Sequence, residues 1–219
     1  MAEKEISVGN CFICGAELGK LKMKNHVIKE HTLKEGGERA VLIRAEGVDK
    51  NYWLLLDIAA DAVLWDLDLF LRRIWVECCD HMSIFIDKRF DGNEFDKEQK
   101  ISDFSPGDKL CYLYDMGSTT ELTISIIGKA RRPKQNDEVR LLARNAAPVY
   151  TCACGKPATT LCVECWWHTG NPFFCADCAK AHDHNDTMLP SANSPRMGVC
   201  GYYGERDKWI FKPGIFGGK

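Results

Sequence analysis

Cysteine and histidine crowd both ends of this chain, at intervals that leave those segments few ways to fold. Near the start, Cys11-Phe-Ile-Cys14 is followed after eleven residues by His26 and after four more by His31. Near the end come Cys152-Ala-Cys154, Cys162-Val-Glu-Cys165, Cys175-Ala-Asp-Cys178 and His182-Asp-His184. Closely paired thiolate and imidazole donors are the ligands of tetrahedral zinc, and segments this short bury too little apolar surface to fold unaided. Structural zinc supplies about 10 to 16 kcal/mol in apparent terms. Zinc, at about three ions per chain, is therefore the expected cofactor. Cys11, Cys14, His26 and His31 would hold one ion and the eight later residues two more, and with every position filled by protein the sites are structural in type.

A disulfide framework is the other reading of twelve cysteines. Against it, Met1-Ala-Glu-Lys-Glu-Ile-Ser-Val has neither the charged start nor the apolar run of a signal peptide, and no apolar stretch is long enough to span a bilayer. A cytoplasmic protein with no membrane association is expected, and a reducing compartment favours metal over disulfide. With 45% hydrophobic and 27% charged residues, the composition is that of an ordinary folded protein. The net charge of -2 gives no global attraction for nucleic acid. Charge is uneven, however. Asp57, Asp61, Asp66, Asp68, Asp80, Asp87, Asp91, Asp96, Asp103 and Asp108 make the middle acidic, whereas Lys129, Arg131, Arg132, Lys134, Arg140 and Arg144 form a basic stretch, read as a solvated surface or a patch for an anionic partner.

Between the cysteine-rich ends the texture is that of a sheet domain. Ala40-Val-Leu-Ile-Arg-Ala-Glu, Tyr52-Trp-Leu-Leu-Leu-Asp-Ile and His81-Met-Ser-Ile-Phe-Ile-Asp read as strands, the second nearly all apolar and central. Lys109-Leu-Cys-Tyr-Leu-Tyr-Asp and Glu121-Leu-Thr-Ile-Ser-Ile-Ile flank Met116-Gly-Ser-Thr-Thr and read as a hairpin. Leu64, Leu67, Leu71, Ile74, Trp75 and Cys78 fall at helical spacing, with Asp61 as N-cap and Asp66, Asp68, Arg72 and Arg73 on the outer face. The predicted class is α+β: a mixed or antiparallel sheet with one main packing helix, flanked by small zinc modules. The expected organisation is a finger-like module over 1–35, the α+β domain over 40–145, a binuclear zinc module over 148–190, and a tail over 191–219 packing on the core.

The first constellation resembles the two-cysteine, two-histidine zinc finger, with a central gap one residue shorter than usual and Leu18 and Met23 at its small-core positions. The second is similar to B-box and related cross-braced modules. That resemblance implies Cys152, Cys154, Cys175 and Cys178 on one ion and Cys162, Cys165, His182 and His184 on the other. The tight Cys152-x-Cys154 spacing leaves a sequential arrangement open, as it does the substitution of a histidine by His168 or Asp183.

Three stretches of the remainder resemble the plasmid pRiA4b ORF-three-like family, the insertion-element passenger type. They are the run from Tyr52 through Cys78-Cys-Asp-His81, the loop Leu113-Tyr-Asp-Met-Gly-Ser-Thr-Thr-Glu-Leu, and Asn193-Ser-Pro-Arg-Met-Gly-Val-Cys-Gly-Tyr. The resemblance spans roughly residues 40–128 and much of 145–204. It implies an α+β fold, an association with mobile elements, and no particular activity.

No phosphate-binding glycine loop, nucleophile elbow or metalloprotease helix occurs, so no catalytic or cofactor-binding residue is assigned besides the metal ligands. Cys78, Cys79, Asp80 and His81 could pair a thiol with a base, but Cys78 continues the buried stripe and reads as packing. Asp115 and Glu121 read as solvated charges beside a hairpin, and Cys111 and Cys200 as buried thiols. Trp166, Trp167, Phe173 and Phe174 read as the small core of the zinc module, or as anchors for a partner where exposed. The functional reading is a zinc-binding adaptor for protein or nucleic acid; the alternative is an enzyme of unrecognised type using a zinc site or the Cys78–His81 cluster.

Overall fold

A computed structural model describes residues 7–87, 92–168 and 170–204. Asp91 of the acidic stretch and positions 205–219 of the tail lie outside the described residues. The chain begins with two short strands, β1 (Val8–Cys11) and β2 (Glu17–Gly19), and a helix, α1 (Lys20–Glu30). Two longer strands follow, β3 (Glu38–Gly47) and β4 (Trp53–Ala59), then α2 (Leu64–Leu71), which runs into a π-turn over Arg72–Val76. Next come β5 (Ser83–Asp87), β6 (Glu94–Phe95), β7 (Lys109–Tyr114), β8 (Thr120–Arg132) and β9 (Val139–Asn145). Among the described residues these nine strands form one sheet in the order β2-β1-β9-β4-β3-β8-β7-β5-β6, and their pairings are antiparallel. The fold is α+β.

Alternation along the strands sends their side chains into two separate cores. Val41, Ile43 and Ala45 of β3 and Leu54, Leu56 and Ile58 of β4 pack with Leu64, Leu67, Leu71, Ile74 and Trp75 on one face. Leu42, Trp53 and Leu55 point to the opposite face, where they meet Met23 and Val27 of α1 and Cys11 of β1. β4 is thus buried along its whole length, as its nearly all-apolar run predicts, with Asp57 the one charged residue in it. The β7–β8 hairpin forms, with Leu113 opposite Glu121.

The sheet crosses the boundary drawn after residue 35. β1 pairs with β9, matching Gly9 with Asn145 and Cys11 with Ala143. Gly9 makes this approach feasible, because a Cβ there would lie 2.2 Å from the Arg144 carbonyl oxygen and 2.5 Å from the Trp53 ring.

Two local expectations are corrected. The N-cap of α2 is Val63, not Asp61: the Asp66 carboxylate accepts from the Val63 amide at 2.9 Å, and the Asp66 amide returns to the Val63 carbonyl at 3.0 Å. Asp68, expected on the outer face, is fully buried. Its carboxylate accepts from Tyr112 Oη at 2.7 Å, Ser83 Oγ at 2.8 Å and Lys97 Nζ at 2.9 Å, so partners on other elements supply what solvent would have given.

After β9, a second, three-stranded sheet and two short helices make a small unit. β10 (Thr160–Cys162) pairs with β11 (Phe173–Phe174) and β12 (Met188–Pro190), with the short helices α3 (Val163–Trp166) and α4 (Ala176–Lys180) between strands. Tyr150 stacks on Phe173 at 3.9 Å between ring centroids and reaches Tyr52 through a 2.8 Å hydroxyl contact, joining the unit to the large sheet. No helix among the described residues is long and apolar enough to cross a membrane.

Candidate metal centres

Four sets of cysteine and histidine side chains among the described residues gather their ligand atoms within 4.8 Å of one another, and each could hold a metal ion. A tetrahedron with about 2.3 Å to sulfur and about 2.0 Å to nitrogen has edges of about 3.8 Å between sulfurs, about 3.5 Å between sulfur and nitrogen, and about 3.3 Å between nitrogens.

The first set is Cys11, Cys14, His26 and His31. Cys11 ends β1, and the chain turns tightly there: the Gly15 amide donates to the Cys11 carbonyl and the Cys11 amide to that of Ala16, both at 2.9 Å. Gly15 adopts a φ of 77°, which suits a residue without Cβ. α1 brings His26, and His31 caps its end. Cys14 Sγ lies 3.2 Å from His26 Nε2 and 3.4 Å from His31 Nε2, and the two nitrogens are 3.1 Å apart. Burial pushes the Cys11 thiol above its ordinary pKa. Burial, and then the neighbouring His26, hold His31 below its own, which keeps the imidazole neutral as a ligand must be.

The second and third sets divide the C-terminal unit. Cys152, Cys154, Cys175 and Cys178 come together, and Cys162, Cys165, His182 and His184 come together, so successive ligand pairs alternate between sets. In one, the Cys154 and Cys175 sulfurs are 3.7 Å apart. In the other, Cys165 Sγ is 3.3 Å from His182 Nε2, and His184 Nδ1 is 3.8 Å from both Cys162 and Cys165. His168 and Asp183 are exposed and belong to neither set. Backbone amides of Cys154 and Cys175 draw the Cys152 thiol down to about 6. Cys178, facing the sulfurs of Cys154, Cys175 and Cys152, is pushed up to about 12. Clustered thiols resist ionising together unless a cation compensates them.

All twelve residues named from the sequence fall into these three sets. The fourth set, Cys78, Cys79, His81 and Cys200, was not assembled from sequence, although the first three residues stand within one short run. Cys78 does pack half-buried against the main core, as the stripe predicts. Cys200, expected to be buried, is exposed; Cys111 is buried as expected. Among the described residues no cysteine is disulfide-bonded.

The basic stretch does not form a continuous surface. Arg132 and Arg144 are buried. Arg132 donates to Asp57 at 3.2 Å and Glu38 at 2.6 Å, Arg140 grips the same Asp57, and Arg144 donates to the Asn193 carbonyl. Arg131 donates to the Gly36 and Gly37 carbonyls. Asp115, expected to be solvated, is buried and receives Arg196 Nη2 at 2.7 Å. Of the aromatics, Trp166 and Trp167 are 37% and 75% exposed, so they cannot be the core of the small unit, whereas Phe173 and Phe174 are half-buried.

No protein-family model matches this chain, and no curated protein matches it. Among solved structures, a protein of unknown function from Methanosarcina mazei Go1 is similar at a TM-score of 0.41 and 14% identity, over 50% of this chain and 70% of that one.

Proposed function

We propose that this chain is a zinc-binding interaction protein whose ions are structural. The observation that carries the reading is the division of twelve cysteine and histidine residues into three fours whose ligand atoms lie within 4.8 Å of one another, with His26–His31, Cys154–Cys175 and Cys165–His182 at 3.1, 3.7 and 3.3 Å, close to tetrahedral edges. Each four fills a coordination sphere with protein atoms, which favours a scaffold over a zinc enzyme, since catalysis needs a position open to substrate. A reducing, cytoplasmic setting keeps such thiols available. Elemental analysis of the purified protein is the test: at least three zinc ions per chain are expected, and a content near zero overturns the reading.

Protein is the partner favoured by two exposed aromatics, Trp167 just after α3 and Tyr203 near the end of the described residues, which are 75% and 72% exposed. Large aromatics at an interface anchor binding strongly. Trp167→Ala should therefore weaken capture of a partner while leaving zinc content unchanged. A nucleic-acid reading has one observation behind it: Lys34, Arg39, Lys129 and Arg131 line a cavity of about 490 Å³ beside the end of α1. Titration with mixed DNA and RNA across a salt series separates the two, because phosphate contacts give affinity that falls steeply with salt. The pRiA4b ORF-three-like resemblance supports relating the chain to mobile elements, and it rests on the residues quoted above.

A further inference from the structure

We propose a fourth metal centre, formed by Cys78, Cys79, His81 and Cys200, that clasps the C-terminal segment to the large sheet. Cys200 Sγ lies 3.6 Å from Cys79 Sγ and 3.7 Å from His81 Nε2, and Cys78 completes a set whose ligand atoms all fall within 4.8 Å. These separations are close to tetrahedral edges around one ion, and the sulfur pair is far too long for a disulfide bond. Three ligands come from the run that leaves the π-turn, and the fourth arrives from more than a hundred residues later.

Packing does not account for the arrangement. Cys79 and Cys200 are exposed, so burial of apolar sulfur gains nothing from bringing them together. Backbone strain is concentrated there instead. Among the described residues, the non-glycine positions with positive φ are Asp80 at 56°, Asp115 at 64° and Cys200 at 54°. Asp80 sits between two of the ligands and Cys200 is one. Such conformations persist where surrounding structure, or a ligand, over-determines them.

Charge is matched as well. Three thiolates and a neutral imidazole around a divalent ion leave one net negative charge. Arg196, fully buried, directs Nε and Nη2 at Cys78 Sγ, each at 3.3 Å, and its Cζ lies 4.8 Å from the centroid of the Tyr114 ring. The same guanidinium holds Asp115, whose carboxylate is 3.6 Å from His81 Nε2 and beyond hydrogen-bonding distance. Binding converts the three thiols to thiolates, and their protons pass to solvent.

This centre is separate from the three of the preceding reading, and zinc counting tells the two apart. Four zinc ions per chain are expected for the unaltered protein, and three for Cys79→Ser and for Cys200→Ser, both exposed positions where the hydroxyl is sterically tolerated. Three ions in the unaltered protein and no loss in either variant overturns the fourth centre alone; none at all overturns both. Should the variants fold poorly, alkylation of the unaltered protein decides. Cys79 and Cys200 should react at least tenfold faster after chelation, and equal rates before and after, or a recovered Cys79–Cys200 disulfide in protein purified under reducing conditions, rule the centre out.

Discussion

Asp68 occupies a helix position that its neighbours in sequence mark as outward, yet it anchors a hydrogen-bond network reaching β5 and β7. Burial alone would raise its pKa, but Tyr112, Lys97 and Ser83 hold the carboxylate below its ordinary range. Removing the charge leaves donors aimed at a weaker acceptor, and breaking a buried ion pair costs about 3 to 5 kcal/mol. Asp68→Asn should lower stability by about that amount at neutral pH in urea unfolding. Because the folded pKa is depressed, the contribution is complete above the unfolded pKa of about 3.9 and is lost as pH falls through the folded value. The gap between the two proteins should therefore narrow below about pH 4, and a gap that stayed constant there would show that the ionised form is not what matters. Trp167 makes the opposite case. Its exposed side chain can be truncated with a stability change within about 0.5 kcal/mol, measured the same way.

At the scale of elements, β1 does two jobs: it extends the sheet beside β9 and positions Cys11 for the first Cys and His set. A methyl group at Gly9 would collide with the Arg144 carbonyl and the Trp53 ring, so Gly9→Ala must push β1 away from β9. Faster hydrogen exchange at the β1–β9 amides and weaker metal retention by the N-terminal set are expected together. Exchange that rose without any change in metal affinity would mean that the turn after β1, and not the strand, fixes Cys11. α1 contributes in the same double way, since Met23 and Val27 are buried against the sheet while His26 belongs to the first Cys and His set.

Over the whole molecule, order has two different sources. The large sheet owns two apolar cores, one with twenty-odd buried side chains around Trp75 and Phe85. The unit around β10–β12 has few buried side chains besides Leu161, Leu189 and the cysteines Cys152, Cys162 and Cys175. Chelation should accordingly disorder 150–190 first, seen as rapid exchange and proteolytic cleavage there, while amides of β3, β4 and β8 stay protected. The N-terminal set should fall between these extremes, because β1 and α1 have sheet contacts that do not depend on an ion. Simultaneous loss of protection in all three regions would instead make the metal essential to the entire fold.

The sequence determined the class of fold, the strands that matter most and the twelve cysteine and histidine residues that gather into three sets, because hydrophobic periodicity and the spacing of such pairs are local properties written in consecutive residues. The helix beginning at Leu64, the β7–β8 hairpin and the burial of β4 were legible in this way, although the stripe read through Cys78 is α-helical only to Leu71 and continues as the π-turn over Arg72–Val76. Tertiary structure decided what depends on residues far apart in the chain: the entry of β1 into the large sheet, the burial of Asp68 and Asp115, and the capture of Arg132 and Arg144 by distant partners. It also decided the meeting of Cys200 with Cys79 and His81. A lone cysteine carries no local signal of which side chains it will meet; only folding, which brings distant residues to one point, decides that.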